Sequence, residues 1–334
     1  MTELLQRVRD EGLLAVSRPA VVMYSGGRDS TCLLDLAVRI AGAEAVTAVH
    51  VNYGLRAAAD ADERHCAEFC ERLGVQLDVR RPVRPSGGGN LQAWARDERY
   101  RAATELAAAR GADVAVGHTS SDQVETILYR LASSPSRRAL LGMRPRDGAH
   151  PPDPPLIRPL LGFTREETGV YCTERGLRWR DDESNESSAF ARNRIRRELV
   201  PALERTHPAA QANILALAEI LRDEADVLDE VVAAALDGRE DIELGRLREL
   251  APAVQRLVVQ RLADEAAGEP AAGVARRAAE VAALSDRGTA ALDLPHGVRA
   301  QASHGVLSFG LTPRRSDGEP PNKAGVSLPH KLNP

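Results

Sequence analysis

The sequence predicts an α/β fold in which a parallel sheet carries helices on both faces. Short apolar runs typical of buried strands alternate with amphipathic segments of helical periodicity. The predicted strands are residues 20–25, 45–51, 75–83 and 112–118. Because strand–helix alternation is the pattern of parallel sheets, the loops that follow the strands should lie at the ligand-binding edge.

The organisation of the chain changes at about residue 207. Ala- and Leu-rich amphipathic segments replace the alternation there, and turns are expected at His296-Gly297 and His304-Gly305. We therefore predict an α/β domain over 1–206 and a smaller, mainly helical domain over 207–311 that ends in a hairpin. The remaining residues, 312–334, are rich in Pro, Gly and charge and are predicted to be disordered.

Composition fits a globular protein of roughly two domains. The chain has 334 residues, of which 43% are hydrophobic and 28% charged. No apolar run approaches the ~18 residues of a membrane span, and residues 1–16 lack the apolar block of a secretion signal. We expect a cytoplasmic protein without a membrane partner.

The turn after the first predicted strand, Ser25-Gly26-Gly27-Arg28-Asp29-Ser30, is typical of a phosphate site. Its glycines let the backbone bend sharply and bring N–H groups close to phosphate oxygens. The following helix would direct its positive end to the same place. Ser25 and Ser30 add hydroxyl donors, and Asp29 is a candidate for orienting Mg²⁺. The pattern lacks the G-K-[ST] of a Walker loop; the alternative is an ordinary tight turn between strand and helix.

Asp122 and Glu125 are spaced i, i+3, so a helix would present both carboxylates on one face. Such a pair suits a cationic amine and could accept its proton, although a solvated acidic face is the simpler interpretation.

Positive charge is concentrated nearby in the chain. Residues 130–205 contain 15 Arg and 11 Asp or Glu, within a chain of net charge −4. This asymmetry favours a basic face for nucleic acid, with a solvated helix start as the alternative.

Four cysteines occur, at positions 32, 66, 70 and 172. No C-x-x-C is present, and Cys66 and Cys70 fall i, i+4 on a predicted helix. A zinc or iron–sulfur site needs more ligands than this pair supplies, so we interpret the cysteines as structural.

Segment 133–155, rich in Ser, Pro, Gly and Arg, is predicted to be a long loop.

Several motifs resemble those of the tRNA(Ile)-lysidine synthetase family, whose members share the PP-loop of the N-type ATP pyrophosphatases. In chain order they are SGGRDS at 25–30, HVNYGLR at 50–56, ARDERY at 95–100, GHTSSDQVET at 117–126, LLGM at 140–143, IRPLL at 157–161, and DESN at 182–185 followed by RNRIR at 192–196. The resemblance covers residues 20–207. The helical region, 207–311, is similar to the family's first C-terminal domain, and the resemblance implies that it binds tRNA.

The resemblance implies a ligase of the PP-loop fold. ATP would adenylate the C2 oxygen of the wobble cytidine in an isoleucine tRNA with a CAU anticodon, free L-lysine would displace AMP, and lysidine would form. It also implies Mg²⁺ and allows a homodimer. Other PP-loop tRNA-modifying enzymes, such as thiolases, are a second interpretation, although thiolases use cysteine pairs. A non-catalytic tRNA-binding paralogue is a third.

Carried over position by position, the resemblance assigns the following candidate site residues. The ATP-binding candidates are Ser25, Gly26, Gly27, Arg28, Asp29, Ser30, His50, Asn52, Arg56, Gly117 and His118. The catalytic candidates are Asp29, Asp122 and Glu125, of which Asp122 and Glu125 would also bind lysine. The tRNA-binding candidates are Arg137, Arg138, Arg192, Asn193, Arg194 and Arg196. The chain departs from the family's motifs at Tyr53 (His in the family), at Ser121 (Asp) and in the loop 132–138.

Overall fold

The structure is a computed structural model. Its larger, mostly parallel sheet is built from strands β1 to β6. The structure describes residues 3–55, 58–85, 90–133, 140–148, 154–180 and 191–313. The strands of this sheet are β1 (Ala20–Met23), β2 (Val46–Val51), β3 (Gln76–Arg80), β4 (Asp113–Ala115), β5 (Arg146–Asp147) and β6 (Leu156–Ile157). Their order is β3-β2-β1-β4-β6-β5, and only β5 runs antiparallel to its neighbour.

Helices of the same unit connect and cover these strands. Their bounds are α1 (Glu3–Asp10), α2 (Arg28–Ala41), α3 (Ala59–Leu73), α4 (Leu91–Arg110), α5 (Ser120–Ser133), α6 (Arg165–Glu174), α7 (Ala191–Arg194) and α8 (Val200–Thr206). The prediction of an α/β parallel-sheet fold is confirmed. The predicted loop 133–155 is partly wrong, because β5 forms within it and pairs with β6.

Alternate residues of each buried strand serve the two faces of the sheet, as the period of two requires. Val22 and Ala48 belong to the core that includes α2, whereas Val21, Val49 and Val114 pack with alanines of α4. The small side chains of Ala102, Ala103 and Ala107 let α4 approach the sheet closely. Both faces are therefore covered, which explains the continuous apolar character of these strands.

The strand order reverses between β1 and β4. From β1 the chain moves outward to β2 and β3, and then crosses back through α4 to the other side of β1. In open α/β sheets, this reversal leaves a crevice outside the carboxyl ends of the two strands. The turn at 25–30 and the segment 116–119 both lie at that crevice.

The helix that follows residue 190 contains an irregular turn. Between α7 and α8, residues Ile195–Leu199 form a π-helical turn. Pro201 lacks an N–H and so cannot donate to the carbonyl of Arg197, which removes one α-helical hydrogen bond at this point. The irregular turn carries Arg196.

A second compact unit begins within α9 (Ala210–Leu236), at about residue 218. The predicted boundary at 206–207 lies just before this helix. The unit contains β7 (Asp241–Glu243), α10 (Leu244–Glu249), α11 (Pro252–Ala267), α12 (Ala278–Ala282), β8 (Thr289–Asp293), β9 (Val298–Ser303) and β10 (Val306–Leu311).

The predicted hairpin is part of a four-stranded antiparallel sheet of order β7-β10-β9-β8. Both predicted turns are confirmed, and His304 and Gly305 each have a positive φ, as a tight two-residue turn between strands requires. The edge strand β7 has only three residues, too few to show an alternating pattern. Buried side chains of α11, including Val258, Val259 and Leu262, belong to the same core as Val298 and Leu307 of this sheet.

Candidate active site

The turn at 25–30 follows β1 and leads into the first residues of α2. Gly26 has φ +81°, and a Cβ there would lie 3.0 Å from the Sγ of Cys66, so both the conformation and the space call for glycine. Ser30 Oγ donates to the carbonyl of Gly27 (2.9 Å) and lies 3.1 Å from Ser25 Oγ. Gly27 caps α2 without a side-chain hydrogen bond. The first amides of α2 are therefore left without a side-chain cap, which is how a helix start is arranged to bind an anion.

Gly117, which follows β4, lies against this helix start. A Cβ on Gly117 would lie 3.1 Å from the carbonyl oxygen of Asp29 and 3.2 Å from the amide nitrogen of Ser30. Those neighbours are main-chain atoms that cannot rotate away. At the carboxyl ends of β1 and β4 the two main chains therefore approach each other closely, and position 117 requires glycine.

Asp29 is bound by side chains of α6 that the sequence analysis did not single out. Its Oδ1 accepts hydrogen bonds from Thr168 Oγ1 (2.6 Å) and Arg28 Nε (3.2 Å), and Arg165 Nε lies 3.4 Å from Oδ2. The side chain of Arg28 packs against Gly169, where a Cβ would lie 3.4 Å from its Cδ and 3.5 Å from a terminal nitrogen. No local pattern could have indicated Arg165 and Thr168, because they are about 140 residues away in the chain.

These contacts limit the capacity of Asp29 to bind a metal ion. Its carboxylate is already engaged by a hydroxyl and two guanidiniums. Among the described residues, no group of three or more His, Cys, Asp or Glu side chains could hold a metal. The residues present therefore do not fit a Mg²⁺ ion held by the protein alone. At nucleotide sites this ion is commonly bound by one or two carboxylates together with the phosphates.

The loop after β2 is organised by buried polar side chains. His50 Nδ1 lies 3.0 Å from the carbonyl of Tyr24 and 3.5 Å from Cys66 Sγ. Asn52 donates to Asp60 (3.1 Å) and Glu63 (2.9 Å) and accepts from the amide of Gly54. The hydrogen bonds of His50 and Asn52 therefore fix the conformation of this loop at the sheet edge. Arg56, the third candidate here, lies outside the described residues.

His118 is held as a neutral imidazole. Arg158 Nε donates to its Nδ1 (3.3 Å). Burial is the main cause that lowers the pKa of His118 to about 4; Asp122 opposes this shift, and Arg158 adds to it. Arg158, from the IRPLL motif, is itself buried and donates to the carbonyl of Arg144 (2.6 Å). At neutral pH the unprotonated Nδ1 of His118 is thus fixed as an acceptor.

Asp122 lies in the first turn of α5. The amide and the hydroxyl of Thr119 both donate to its Oδ2 at 2.9 Å. Burial alone would raise the pKa of Asp122, but the Thr119 amide, His118 and Arg192 outweigh it and lower the pKa below its usual value. Asp122 is therefore ionised throughout the neutral range.

Glu125 is almost fully buried (2% exposed) and paired with two arginines. Arg196 donates through Nε and a terminal nitrogen (2.5 and 3.0 Å), and Arg192 Nε lies 3.3 Å away. Arg196 also approaches Asp122 at 3.6 Å. The prediction that both carboxylates share one helix face is confirmed, since a single guanidinium reaches both.

The RNRIR segment therefore contacts α5 as well as offering charge to the surface. Arg192 also donates to Thr126 Oγ1 (3.1 Å), whereas Arg194 is exposed. The roles of Arg192, Asn193, Arg194 and Arg196 toward tRNA stay predictions. Arg137 and Arg138 lie outside the described residues.

The cysteines are four free, buried thiols. Cys66 packs beneath Gly26, and burial raises its pKa well above the usual value. Burial likewise raises the pKa of Cys70 to about 12. Both thiols are therefore protonated and act as packing groups beside the turn at 25–30.

The comparisons with known proteins agree with this geometry. Residues 2–203 match the family model described as a PP-loop domain. A tRNA(Ile)-lysidine synthase from Symbiobacterium thermophilum is 36% identical over 338 residues, which cover 92% of this chain and 69% of that protein. The chain belongs to the tRNA(Ile)-lysidine synthase family. Another member, from Pseudomonas fluorescens, is 38% identical over 70% of this chain.

The chain spans about half the length of the first curated relatives it matches, for example 55% of the Pseudomonas fluorescens protein. Among solved structures, the U34-tRNA thiolase NcsA from Methanococcus maripaludis aligns over 66% of this chain and 79% of its own, with a TM-score of 0.55 and 17% identity. That likeness supports the fold alone. Among the described residues, no helix is long and apolar enough to cross a membrane.

Proposed function

We propose that this chain joins L-lysine to C2 of the wobble cytidine in an isoleucine tRNA with a CAU anticodon, and converts ATP to AMP and pyrophosphate. The observation that carries the proposal is the continuity of the site. Gly117 contacts the start of α2, and two residues later Thr119 donates to Asp122. A phosphate-binding turn and an amine-binding carboxylate are thus joined by a few residues of chain. The names of the relatives support the same reaction.

In the first step, the cytidine O2 attacks the α-phosphorus of ATP. The bond from that phosphorus to the oxygen bridging the α- and β-phosphates breaks, and pyrophosphate leaves with the negative charge. We assign stabilisation of that charge to the main-chain amides of the 25–30 turn and to the start of α2, since preorganised donors act without reorganisation. Because Nδ1 of neutral His118 accepts from Arg158, its proton lies on Nε2, which offers a donor at the same edge.

In the second step, an amine of lysine attacks C2. The C2–O bond breaks, and AMP leaves with the former O2 oxygen. Because the pKa of Asp122 is held low, we assign it to binding the ammonium form. The incoming ammonium would displace Arg196 from Glu125, which would bring this carboxylate within hydrogen-bond reach of the amine proton. We therefore assign removal of the amine proton to Glu125.

The tRNA would be bound by the RNRIR segment and by the arginines of the 132–138 loop. The exposed side chain of Arg194 is the best-placed phosphate contact among the described candidates. Mg²⁺ is proposed as a companion of the ATP phosphates, with Asp29 as its predicted protein contact. We expect the reaction in the cytoplasm, and a homodimer remains a prediction.

The test is a reconstitution with ATP, isotope-labelled lysine and the tRNA, followed by mass spectrometry of the nucleosides. We expect labelled lysidine and one AMP for each modified tRNA. Asp122→Asn and Glu125→Gln should abolish the product, while Glu166→Gln, at an exposed acid on α6, should not. Binding of tRNA without AMP release at any lysine concentration would instead indicate a non-catalytic paralogue, and a different modified nucleoside would indicate another PP-loop enzyme.

A further inference from the structure

Arg165 is fixed at the point where α6 begins. Thr164 caps this helix with a full capping box, in which Glu167 donates its amide to Thr164 Oγ1 and accepts from the Thr164 amide (3.2 and 2.7 Å). The amide of Arg165 also donates to Ser121 Oγ (3.4 Å) at the start of α5. Its main chain is therefore held by two neighbouring helices, both beside the phosphate-binding turn.

The guanidinium of Arg165 is only partly used. Its Nε lies 3.4 Å from Asp29 Oδ2, and the side chain is 31% exposed. Within the described part of the chain, its two terminal nitrogens have no partner. A guanidinium carries its donors in a planar fork that matches phosphate oxygens, so two donors remain for an anion.

Asp29 does not need Arg165 for charge compensation. Thr168 Oγ1, fully buried, donates to its Oδ1 at 2.6 Å, and Arg28 Nε lies 3.2 Å from the same oxygen. Arg28 is turned toward α6, where it packs on Gly169. Two guanidiniums thus face one carboxylate, which leaves one positive charge in excess beside the start of α2.

We propose that Arg165 is a phosphate-binding residue of the nucleotide site, held ready by Asp29 and contacting the β- or γ-phosphate of ATP. The proposal rests on the proposed function only in taking ATP as the ligand. A polyphosphate suits this position because the excess guanidinium and the α2 amides both favour an anion. Lysine carries a carboxylate and tRNA carries phosphates, so these two are the other anions that a test must separate from ATP.

The test is calorimetric titration of the full chain with ATP, ADP, AMP and adenosine, and separately with lysine and with the tRNA. Arg165→Gln should weaken ATP binding about 10- to 100-fold, as expected for loss of a charge-assisted hydrogen bond. The loss should be smaller for AMP and absent for adenosine. Arg165→Lys should recover part of the affinity because it keeps the charge, and it serves as the second variant if Arg165→Gln folds poorly.

Arg175→Gln is the matched control. Arg175 also joins α6 to α2 through an ion pair, with Asp35 at 3.8 Å, and it is similarly exposed (35%). We expect its ATP affinity to equal that of the wild type. A merely structural role for Arg165 predicts equal losses for ATP and adenosine and a lowered melting temperature, and that result would overturn the proposal.

Other outcomes also decide the matter. ATP binding by Arg165→Gln within twofold of the wild type would overturn the proposal, and so would a loss confined to lysine or tRNA binding. A wild type that binds no ATP would overturn both this inference and the proposed function. A wild type that binds ATP in the Arg165-dependent way but forms no lysidine would leave the inference standing and defeat the proposed function alone.

Discussion

The turn at 25–30 and the carboxylate pair of α5 lie at the same sheet edge but are built differently. In the turn, the candidate binding groups are main-chain amides whose positions follow from two glycines and the start of α2. On α5, the candidate binding groups are side chains that are already neutralised, since Arg192 and Arg196 pair with Glu125. The turn is ready for an anion as it stands, whereas the carboxylates must exchange partners before they bind an amine.

The sharpest way to break this comparison is to remove the partner. Arg196→Met leaves a buried carboxylate with a single remaining cation, Arg192. We expect the free energy of unfolding to fall by about 3 kcal/mol, the low end for breaking a buried ion pair. Urea denaturation measures it. The double variant Arg196→Met/Glu125→Gln should recover most of the loss, and additive losses would mean that the two side chains are not coupled.

A second test concerns the main-chain approach at Gly117. In Gly117→Ala, the new methyl group would meet main-chain atoms of Asp29 and Ser30 at 3.1–3.2 Å, so the turn must shift. Displacement of a binding group by a fraction of an ångström to 1 Å costs up to about 100-fold, and we expect that loss in ATP affinity. Gly245→Ala is the control, because nothing lies within 4 Å of its Cβ position. Unchanged ATP binding by Gly117→Ala would mean that the turn tolerates movement.

The same contrast explains what the sequence could predict. The parallel sheet, the helix after the turn and the sharp bend at Gly26 follow from local patterns, because each depends on neighbours a few residues away. The shared face of Asp122 and Glu125 follows from helical spacing. The partners of those carboxylates could not be predicted in this way, since Arg192 and Arg196 are about 70 residues distant. A run of arginines is equally consistent with a surface that binds RNA. Arg165 and Thr168 were missed for the same reason.

A third test uses pH. His118 has its pKa lowered from 6.5 to about 4, so the unfolded chain binds this proton more readily. The stability that neutral His118 contributes is therefore complete above about pH 6.5 and is lost as the pH falls toward 4. At pH 5 the loss is about 2 kcal/mol relative to pH 7.5.

The measurement is urea denaturation of the wild type and His118→Gln at both pH values. Glu11 acts in the opposite direction, since burial raises its pKa to about 7 and its contribution falls as the pH rises. The difference between the two proteins isolates His118, because both contain Glu11. If the two proteins lose equal stability on acidification, His118 is not buried in its neutral form.

The smallest expected effect lies at Ser121, which joins the two regions. Its Oγ accepts from the amide of Arg165 at the start of α6. An aspartate in its place would put a carboxylate at that helix start, where a negative charge contributes about 0.5 kcal/mol. We expect Ser121→Asp to raise the melting temperature slightly.

A new carboxylate beside Arg165 would also compete for its guanidinium, so ATP affinity should fall by about twofold to threefold, the scale of a screened, partly exposed ion pair. The direction is informative because stability and nucleotide affinity should move oppositely. If both rise together, Arg165 does not contact the nucleotide, and the ready-made character of the turn depends on its amides alone.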